Sequence, residues 1–152
     1  MFHHFIHEIL SAVEMEKIAE EIKLQEEKTA GEIRVSIKQK RKMFEKKSSL
    51  RNLAIKEFFR MKINNTLDRS GILLFLILKD KQFYILPDEG ITKVLDQNFW
   101  NELSNVTEKY FRNKNFFDGI IHVIRECGKV LSQHFPRKPD DVNELDDRVE
   151  VS

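Results

Sequence analysis

The pattern of apolar and polar residues along the chain predicts a mixed α/β domain. A capping-box sequence at residues 11–14 precedes apolar residues at helical spacing and predicts a first helix. Residues 33–37 alternate apolar with polar positions, which predicts a strand with one solvent-facing side. Residues 72–78, ILLFLIL, are apolar on both faces and predict a central strand. A polar turn then leads to a short return strand at residues 83–86.

Three more helices are predicted where apolar residues recur at helical spacing, near residues 50–61, 100–110 and 117–131. The strand–helix–strand unit implies parallel pairing through a right-handed crossover, and the hairpin adds the third strand antiparallel. Because the middle strand has no polar face, helices should cover both sides of the sheet. The expected fold class is therefore α/β: a three-layer α/β/α sandwich with a small mixed sheet.

Composition narrows the class of protein. The chain has 152 residues, of which 41% are hydrophobic and 34% charged, as expected of one globular domain. A net charge of +1 gives no general attraction to nucleic acid. No apolar run approaches the roughly 20 residues that cross a bilayer. The single cysteine, Cys127, lies on an apolar helical stripe, so we expect a buried, unreactive thiol. With no secretory signal at the N-terminus, the expected location is cytoplasmic.

The predicted domain covers residues 10–136. Residues 1–9 precede it as an N-terminal extension. Residues 137–152 are acidic and lack periodicity, which predicts a C-terminal tail.

Four carboxylates form a predicted acidic edge of the sheet. Glu32 begins the first strand, Asp68 precedes the second, and Asp88 and Glu89 follow the third, which runs in the opposite direction. Carboxylate and carbonyl oxygens suit a hard cation such as Ca²⁺ or Mg²⁺, so these residues are the candidate metal ligands, with Asp68 and Asp88 first. The alternative is that they are ordinary turn and capping residues, because Asp is a common turn former.

The opposite edge of the sheet is basic. It carries Lys38, Lys40, Lys79, Asp80 and Lys81. Ligands of open α/β sheets usually bind beyond the carboxyl ends of the parallel strands, and this is that edge. Solvated lysines on turns explain the same pattern. The basic segment 38–47 has the same two interpretations: phosphate contact or a solvated loop.

Several segments resemble a known family. "SAVEMEKIAEEIKLQEEKTAGEIRVSI" is similar to the opening of a TPM domain, a helix followed by a T-x-G-E-I-R-V strand. "TLDRSGILLFLILKDKQFYILPDEGI" resembles the apolar hairpin of that domain, and "FWNEL" with "FFDGIIHVIRECGKVLSQHFP" resembles the rest of its short, stand-alone bacterial form. The resemblance extends over about residues 10–149. It implies an α/β/α sandwich, in agreement with the predicted topology.

Known members of the family suggest three roles. A plant thylakoid member is associated with acid phosphatase activity and calcium binding, and an animal member is a receptor accessory protein. The phosphatase activity transfers poorly, because this chain has no residue matched to a nucleophile or general acid. The cation site transfers better, because Glu32, Asp68 and Asp88 stand in segments that resemble the family.

The first hypothesis is a TPM-domain accessory or assembly module that binds a divalent cation, calcium or magnesium, with an unidentified protein partner left open. The alternative is a metal-dependent phosphatase, in which the ion polarises a phosphoryl oxygen and activates water. In that case Arg34 or Arg69 would pair with the phosphate oxygens as ligand-binding residues. The sequence names no substrate and no catalytic residue.

Overall fold

A computed structural model describes residues 9–139 and 149–152. The strands are β1 (Glu32–Lys38), β2 (Gly71–Ile77), β3 (Gln82–Pro87) and β4 (Glu150–Val151). The helices are α1 (Ala12–Glu26), α2 (Leu50–Arg60), α3 (Glu89–Thr92), α4 (Gln97–Arg112) and α5 (Phe116–His134), with a 3₁₀ turn at Met43–Glu45. Helices cover both faces of the sheet, which confirms the predicted α/β/α sandwich.

The sheet is mixed and its strands lie in the order β3-β2-β1-β4. β1 and β2 are parallel, with Glu32 opposite Gly71, and β2 and β3 form an antiparallel hairpin. The predicted central strand and both predicted pairings are confirmed. β4 adds a parallel edge strand beside β1 inside the segment predicted as a tail, a strand too short to show an apolar alternation. The remainder of that tail at 140–148, and residues 1–8 of the predicted extension, lie outside the described residues.

Each face of the sheet has its own apolar core. On one face, Ile33, Val35 and Ile37 pack with alternate residues of β2 beneath α1, α4 and α5. On the other face, the remaining β2 side chains pack against α2 and Ile63. All seven residues of β2 are buried, as the two-faced apolar run predicts.

The prediction that β1 has one solvent-facing side is wrong. Glu32, Arg34 and Ser36 are 2%, 2% and 0% exposed. They lie on the face of the sheet that α2 covers, and their polar atoms have partners inside the protein: Ser36 Oγ, for example, donates a hydrogen bond to the Glu57 carboxylate on α2. The alternation of apolar and polar residues therefore indicated correctly that β1 has two different faces, but it did not indicate that both faces are covered by protein.

Two further expectations concern Cys127 and the membrane. Cys127 is free and buried, and burial, with a smaller contribution from Glu126, raises the pKa of its thiol to about 12. The expected burial of Cys127 is confirmed, and a raised pKa leaves little of the reactive thiolate at neutral pH. Within the described part of the chain, no helix combines the length and apolar character needed to cross a membrane.

Candidate functional site

The backbone brings the segments that carry Glu32 and Asp88 close together, as the predicted acidic edge requires. Glu32 N–H donates to the Ser70 carbonyl at 3.2 Å, and Asp88 N–H donates to the Gly71 carbonyl at 2.8 Å. The start of β1 and the end of β3 therefore flank the start of β2. Whether their side chains share a ligand depends on where each carboxylate points.

Asp88 is held by its own helix and by Arg69. Its Oδ1 accepts a hydrogen bond from Glu89 N–H at 2.8 Å and so caps α3. Arg69 Nε and Nη2 donate to Asp88 Oδ2 and Oδ1 at 2.8 and 3.0 Å, a bidentate pair. Arg69 Nη1 also lies 3.3 Å from Glu89 Oε1. Asp88 is the main reason that the pKa of Arg69 is raised above its ordinary value. Two carboxylates of the acidic edge thus converge on one guanidinium.

The loop that carries Arg69 is pressed against the start of α3. Arg69 adopts a left-handed backbone conformation with φ 50°. Gly90 N–H donates to the Arg69 carbonyl at 3.0 Å. A Cβ atom at Gly90 would lie 2.1 Å from the Asp68 carbonyl oxygen, so only glycine permits this approach. Non-glycine residues with positive φ are uncommon and often occur at functional sites.

Glu32 belongs to a different cluster. Its Oε2 lies 3.2 Å from Arg34 Nη2, and Arg34 Nη1 lies 2.8 Å from Glu26 Oε2, with all three side chains almost completely buried. Gly71 lies between Glu32 and Asp88 in the sheet, and Ile63 packs so closely over it that a Cβ there would be 2.5 Å from Ile63 Cγ2. Ile63 therefore occupies the space over Gly71, the strand position between Glu32 and Asp88.

The predicted metal ligands and the predicted ligand-binding arginines belong to two separate charge clusters. Glu32 pairs with Arg34, and Asp88 and Glu89 pair with Arg69. Asp68 is exposed on the loop before β2. Among residues 9–139 and 149–152, no group of three His, Cys, Asp or Glu side chains is placed to hold a metal ion. A cation at the acidic edge stays a prediction.

Sequence reasoning missed Glu26 as a member of the buried cluster. Its carboxylate accepts hydrogen bonds from Arg34 and from Ile33 N–H, but a glutamate on a helix gives no sequence signal of burial.

The carboxyl end of β1 opens into a pocket of about 530 Å³, here called the basic pocket. Its charged lining consists of six basic side chains, Lys38, Lys40, Arg41, Lys42, Lys56 and Arg60, and three acidic ones, Glu45, Glu57 and Glu150, a net charge of +3. Leu53 and Phe75 lie beneath it and are only 3% and 1% exposed. Of these residues, the sequence pattern identified Lys38 and Lys40 and the segment 38–47. It missed those on α2 and β4, which are distant in sequence.

The acids of the basic pocket already have partners. Glu45 lies 2.9 Å from Lys38 Nζ, and Arg60 lies 2.6 Å from Glu57 and 3.1 Å from Glu150. Burial acts to raise the pKa values of Glu45 and Glu57, but hydrogen bonds and nearby cations outweigh burial and lower both. Lys40 and Lys56 have no ion-pair partner in the part of the chain that is described. Their charges are therefore available to a ligand.

Arg41 fixes the loop that follows β1. Its Nε donates to Asp80 Oδ2 at 2.8 Å and its Nη2 to Gln82 Oε1 at 3.0 Å, both at the β2–β3 turn. Its Nη1 donates to the carbonyls of Glu45 and Ser48 within the loop. One guanidinium thus connects the loop to the hairpin by hydrogen bonds and fixes the rim of the basic pocket.

A family model described as the TPM domain matches residues 7–130 of this chain. The chain belongs to the TPM domain family. The resemblance predicted from the sequence is therefore confirmed. No curated protein gave a match.

Two solved structures resemble this TPM domain. The NMR structure of the BA42 protein from the psychrophilic bacterium Bizionia argentinensis has 31% sequence identity and a TM-score of 0.84, covering 94% of this chain and 95% of that chain. The N-terminal domain of a protein from P. gingivalis has 17% identity and a TM-score of 0.67, covering 86% of this chain and 83% of that one. The second similarity shows a shared fold.

Proposed function

We propose that this TPM domain is a binding module whose ligand carries phosphate and occupies the basic pocket. The observation that carries the proposal is the pocket itself, because six basic side chains line it at the carboxyl end of a parallel strand. Open α/β sheets bind ligands at that position, and Arg and Lys are the usual phosphate-binding residues. A volume of about 530 Å³ is typical of a small-molecule site.

Lys40 and Lys56 are the side chains proposed to contact the phosphate. They lie on different elements, the loop after β1 and α2, and both are exposed. Arg60 is already engaged by Glu57 and Glu150, so its role is to shape the wall of the pocket.

The test is a titration with inorganic pyrophosphate followed by amide chemical shifts. We expect saturable changes at residues 38–42 and 56–60. The Lys40→Ala, Lys56→Ala variant should bind at least about a hundredfold more weakly, because each of the two charge-assisted hydrogen bonds contributes roughly 1.5–3 kcal/mol and every 1.4 kcal/mol is a factor of ten. Lys17→Ala is the matched control: Lys17 is also an exposed lysine within a helix, and its loss should leave affinity unchanged. Non-saturable shifts, or an equal loss in the control, would contradict the proposal.

A divalent cation at the acidic edge is a second proposal. What favours it is the convergence of the Asp88 and Glu89 carboxylates on one guanidinium. A cation between these carboxylates would have to displace Arg69, whose side chain is 39% exposed. Asp68 would join from the adjacent loop. Carboxylate oxygens of this kind suit Ca²⁺ or Mg²⁺.

Competition between the cation and Arg69 makes this second proposal testable. Arg69→Gln should increase the rise in melting temperature that calcium or magnesium produces, and Asp88→Asn should abolish that rise. Chelated buffer provides the reference in each case. If Arg69→Gln shows no response to either ion, Arg69 is a structural partner of Asp88 and the cation proposal fails.

The distance between the two sites favours binding over phosphoryl transfer. β1 has seven residues and connects the acidic edge to the basic pocket. At roughly 3.3 Å per residue the two lie about 20 Å apart, too far for a cation at one to polarise a phosphate at the other. A phosphatase assay with and without calcium or magnesium tests the alternative. Turnover that requires the metal and disappears in Asp88→Asn would instead support the metal-dependent phosphatase.

A further inference from the structure

Two large apolar side chains are exposed at the tip of the loop between β1 and α2. Met43 and Phe44 are 84% and 75% exposed, and both lie in the 3₁₀ turn Met43–Glu45. Single exposed apolar residues are common on protein surfaces, but two adjacent large ones on the same turn indicate a contact surface. The segment 40–47 is here called the apolar tip.

The apolar tip is held in place by hydrogen bonds. Glu45 Oε1 accepts from Lys42 N–H at 2.8 Å and closes the turn. Its carboxylate also pairs with Lys38, at the end of β1. The Arg41 contacts described above connect the same loop to the hairpin. Exposure of Met43 and Phe44 is therefore a property of a fixed turn, which lowers the entropy cost of binding through it.

The polar surface of the apolar tip is cationic. Lys40, Lys42, Lys46 and Lys47 are all exposed around the two apolar side chains. The only acid in this segment is Glu45, which is buried and paired with Lys38. Lys42 Nζ lies 6.0 Å from the centre of the Phe44 ring, so one cation lies directly beside the apolar surface.

We propose that the apolar tip docks on a bilayer surface rich in anionic phospholipid. Met43 and Phe44 enter the boundary between headgroups and acyl chains, and the surrounding lysines contact anionic headgroups. A single-stranded nucleic acid fits less well, because such sites stack successive bases on several aromatic rings and the tip offers one. The apolar tip shares Lys40, Arg41, Lys42 and Glu45 with the lining of the basic pocket. Met43, Phe44, Lys46 and Lys47 do not line that pocket, so substitutions at these positions test the tip separately from the ligand of the pocket.

Vesicle co-sedimentation tests the proposal. Vesicles of equal parts phosphatidylcholine and phosphatidylglycerol should bind the full chain, and phosphatidylcholine alone should not. The Met43→Ser, Phe44→Ser variant should lose about tenfold or more in partition coefficient, because insertion of apolar area drives interfacial binding. Leu67→Ser is the matched control, since Leu67 is a 92% exposed apolar side chain outside the tip. Lys46→Gln with Lys47→Gln should weaken binding about thirtyfold at low salt, because each lysine near an anionic surface contributes about 1 kcal/mol.

Insertion itself is measured with a tryptophan reporter. The native Trp100 is only 6% exposed and gives a constant background. Emission of Phe44→Trp should be quenched by brominated acyl chains, and emission of Leu67→Trp should not. The proposal is overturned by no binding to anionic vesicles, by equal binding to neutral ones, or by equal binding of the Met43→Ser, Phe44→Ser variant. Tip-dependent binding to a single-stranded oligonucleotide without vesicle binding would overturn it as well.

Discussion

The two ends of β1 are both charged, yet their charges are arranged in opposite ways. At the amino end, Glu32 and Arg34 are buried with Glu26 in a cluster closed to solvent. At the carboxyl end, Lys40 and Lys56 are exposed around a pocket of about 530 Å³. Burial therefore separates charges that serve folding from charges available to a ligand.

The difference has a physical cause. A buried charge loses its hydration and is tolerated only when an opposite charge and hydrogen bonds replace the water. Once paired in this way, the group cannot leave its partner without a large cost. An exposed lysine retains its hydration and can exchange water for a phosphate oxygen at little cost. Four predictions test this contrast, from the largest expected effect to the smallest.

Removal of Arg34 should produce the largest effect. Arg34→Met leaves the carboxylates of Glu26 and Glu32 buried without this cation, and the free energy of unfolding should fall by about 3–5 kcal/mol. Denaturant unfolding provides the measurement. Arg112→Met is the control, because Arg112 pairs with Glu108 on the exposed surface of α4 and its loss should cost no more than about 1 kcal/mol. Equal small losses in the two variants would remove the distinction between the ends of β1.

Gly90→Ala should destabilise the acidic edge by about 1–3 kcal/mol, the usual cost of forcing atoms into a packed site. The added methyl group would meet the backbone carbonyls of Asp68 and Arg69, which cannot rotate away. Gly31→Ala is the comparison, because its methyl group would meet mainly the terminal methyl groups of Leu131, at 2.8 and 3.0 Å, which can move by side-chain rotation. Thermal melts of both variants should rank Gly90→Ala as clearly the less stable. The reverse order would show that the loop carrying Arg69 can move to accommodate the added methyl group.

Acid should lower the free energy of unfolding through protonation of Glu45 and Glu57, two carboxylates of the basic pocket. Their pKa values are lowered from 4.5 in the folded protein, so the unfolded chain binds more protons as the pH falls below that value. Their contribution to stability is therefore fully present above about pH 4.5 and is lost as the pH falls through the lower folded pKa values. Denaturation midpoints measured from neutral pH down to about pH 3 should decline less steeply in Glu45→Gln, Glu57→Gln. An unchanged slope would mean that these pairs contribute nothing to folding.

Lys56→Ala should have the smallest effect on stability, within about 0.5 kcal/mol, because Lys56 is exposed and has no ion-pair partner among the described residues. The same substitution should weaken pyrophosphate binding, since the charge is proposed to serve the ligand. Parallel denaturant melts and titrations measure the two quantities on one preparation. A stability loss above about 1 kcal/mol would assign Lys56 to folding and break the contrast with Arg34.

Local sequence was sufficient for most of the secondary structure. The first helix begins where the capping box predicts: Glu14 N–H donates to Ser11 Oγ at 3.0 Å, and Ser11 N–H donates to Glu14 Oε1 at 2.9 Å. β2 is the central strand because all seven of its residues are buried. These features depend on residues within a few positions of one another, so the pattern of apolar positions contains the information.

Tertiary structure alone decided the partners of the charged residues. The sequence by itself determined that Glu32 and Asp88 stand at one edge of the sheet, but Ile63 packs over Gly71 between them and Glu26 reaches Arg34 from α1. It determined a basic segment after β1, but Lys56, Arg60 and Glu150 complete the pocket from elements far along the chain. The physical reason is that the packing of helices over a sheet determines both burial and the distances between charges. Desolvation and Coulomb energy depend on those distances, and residue type alone does not contain them.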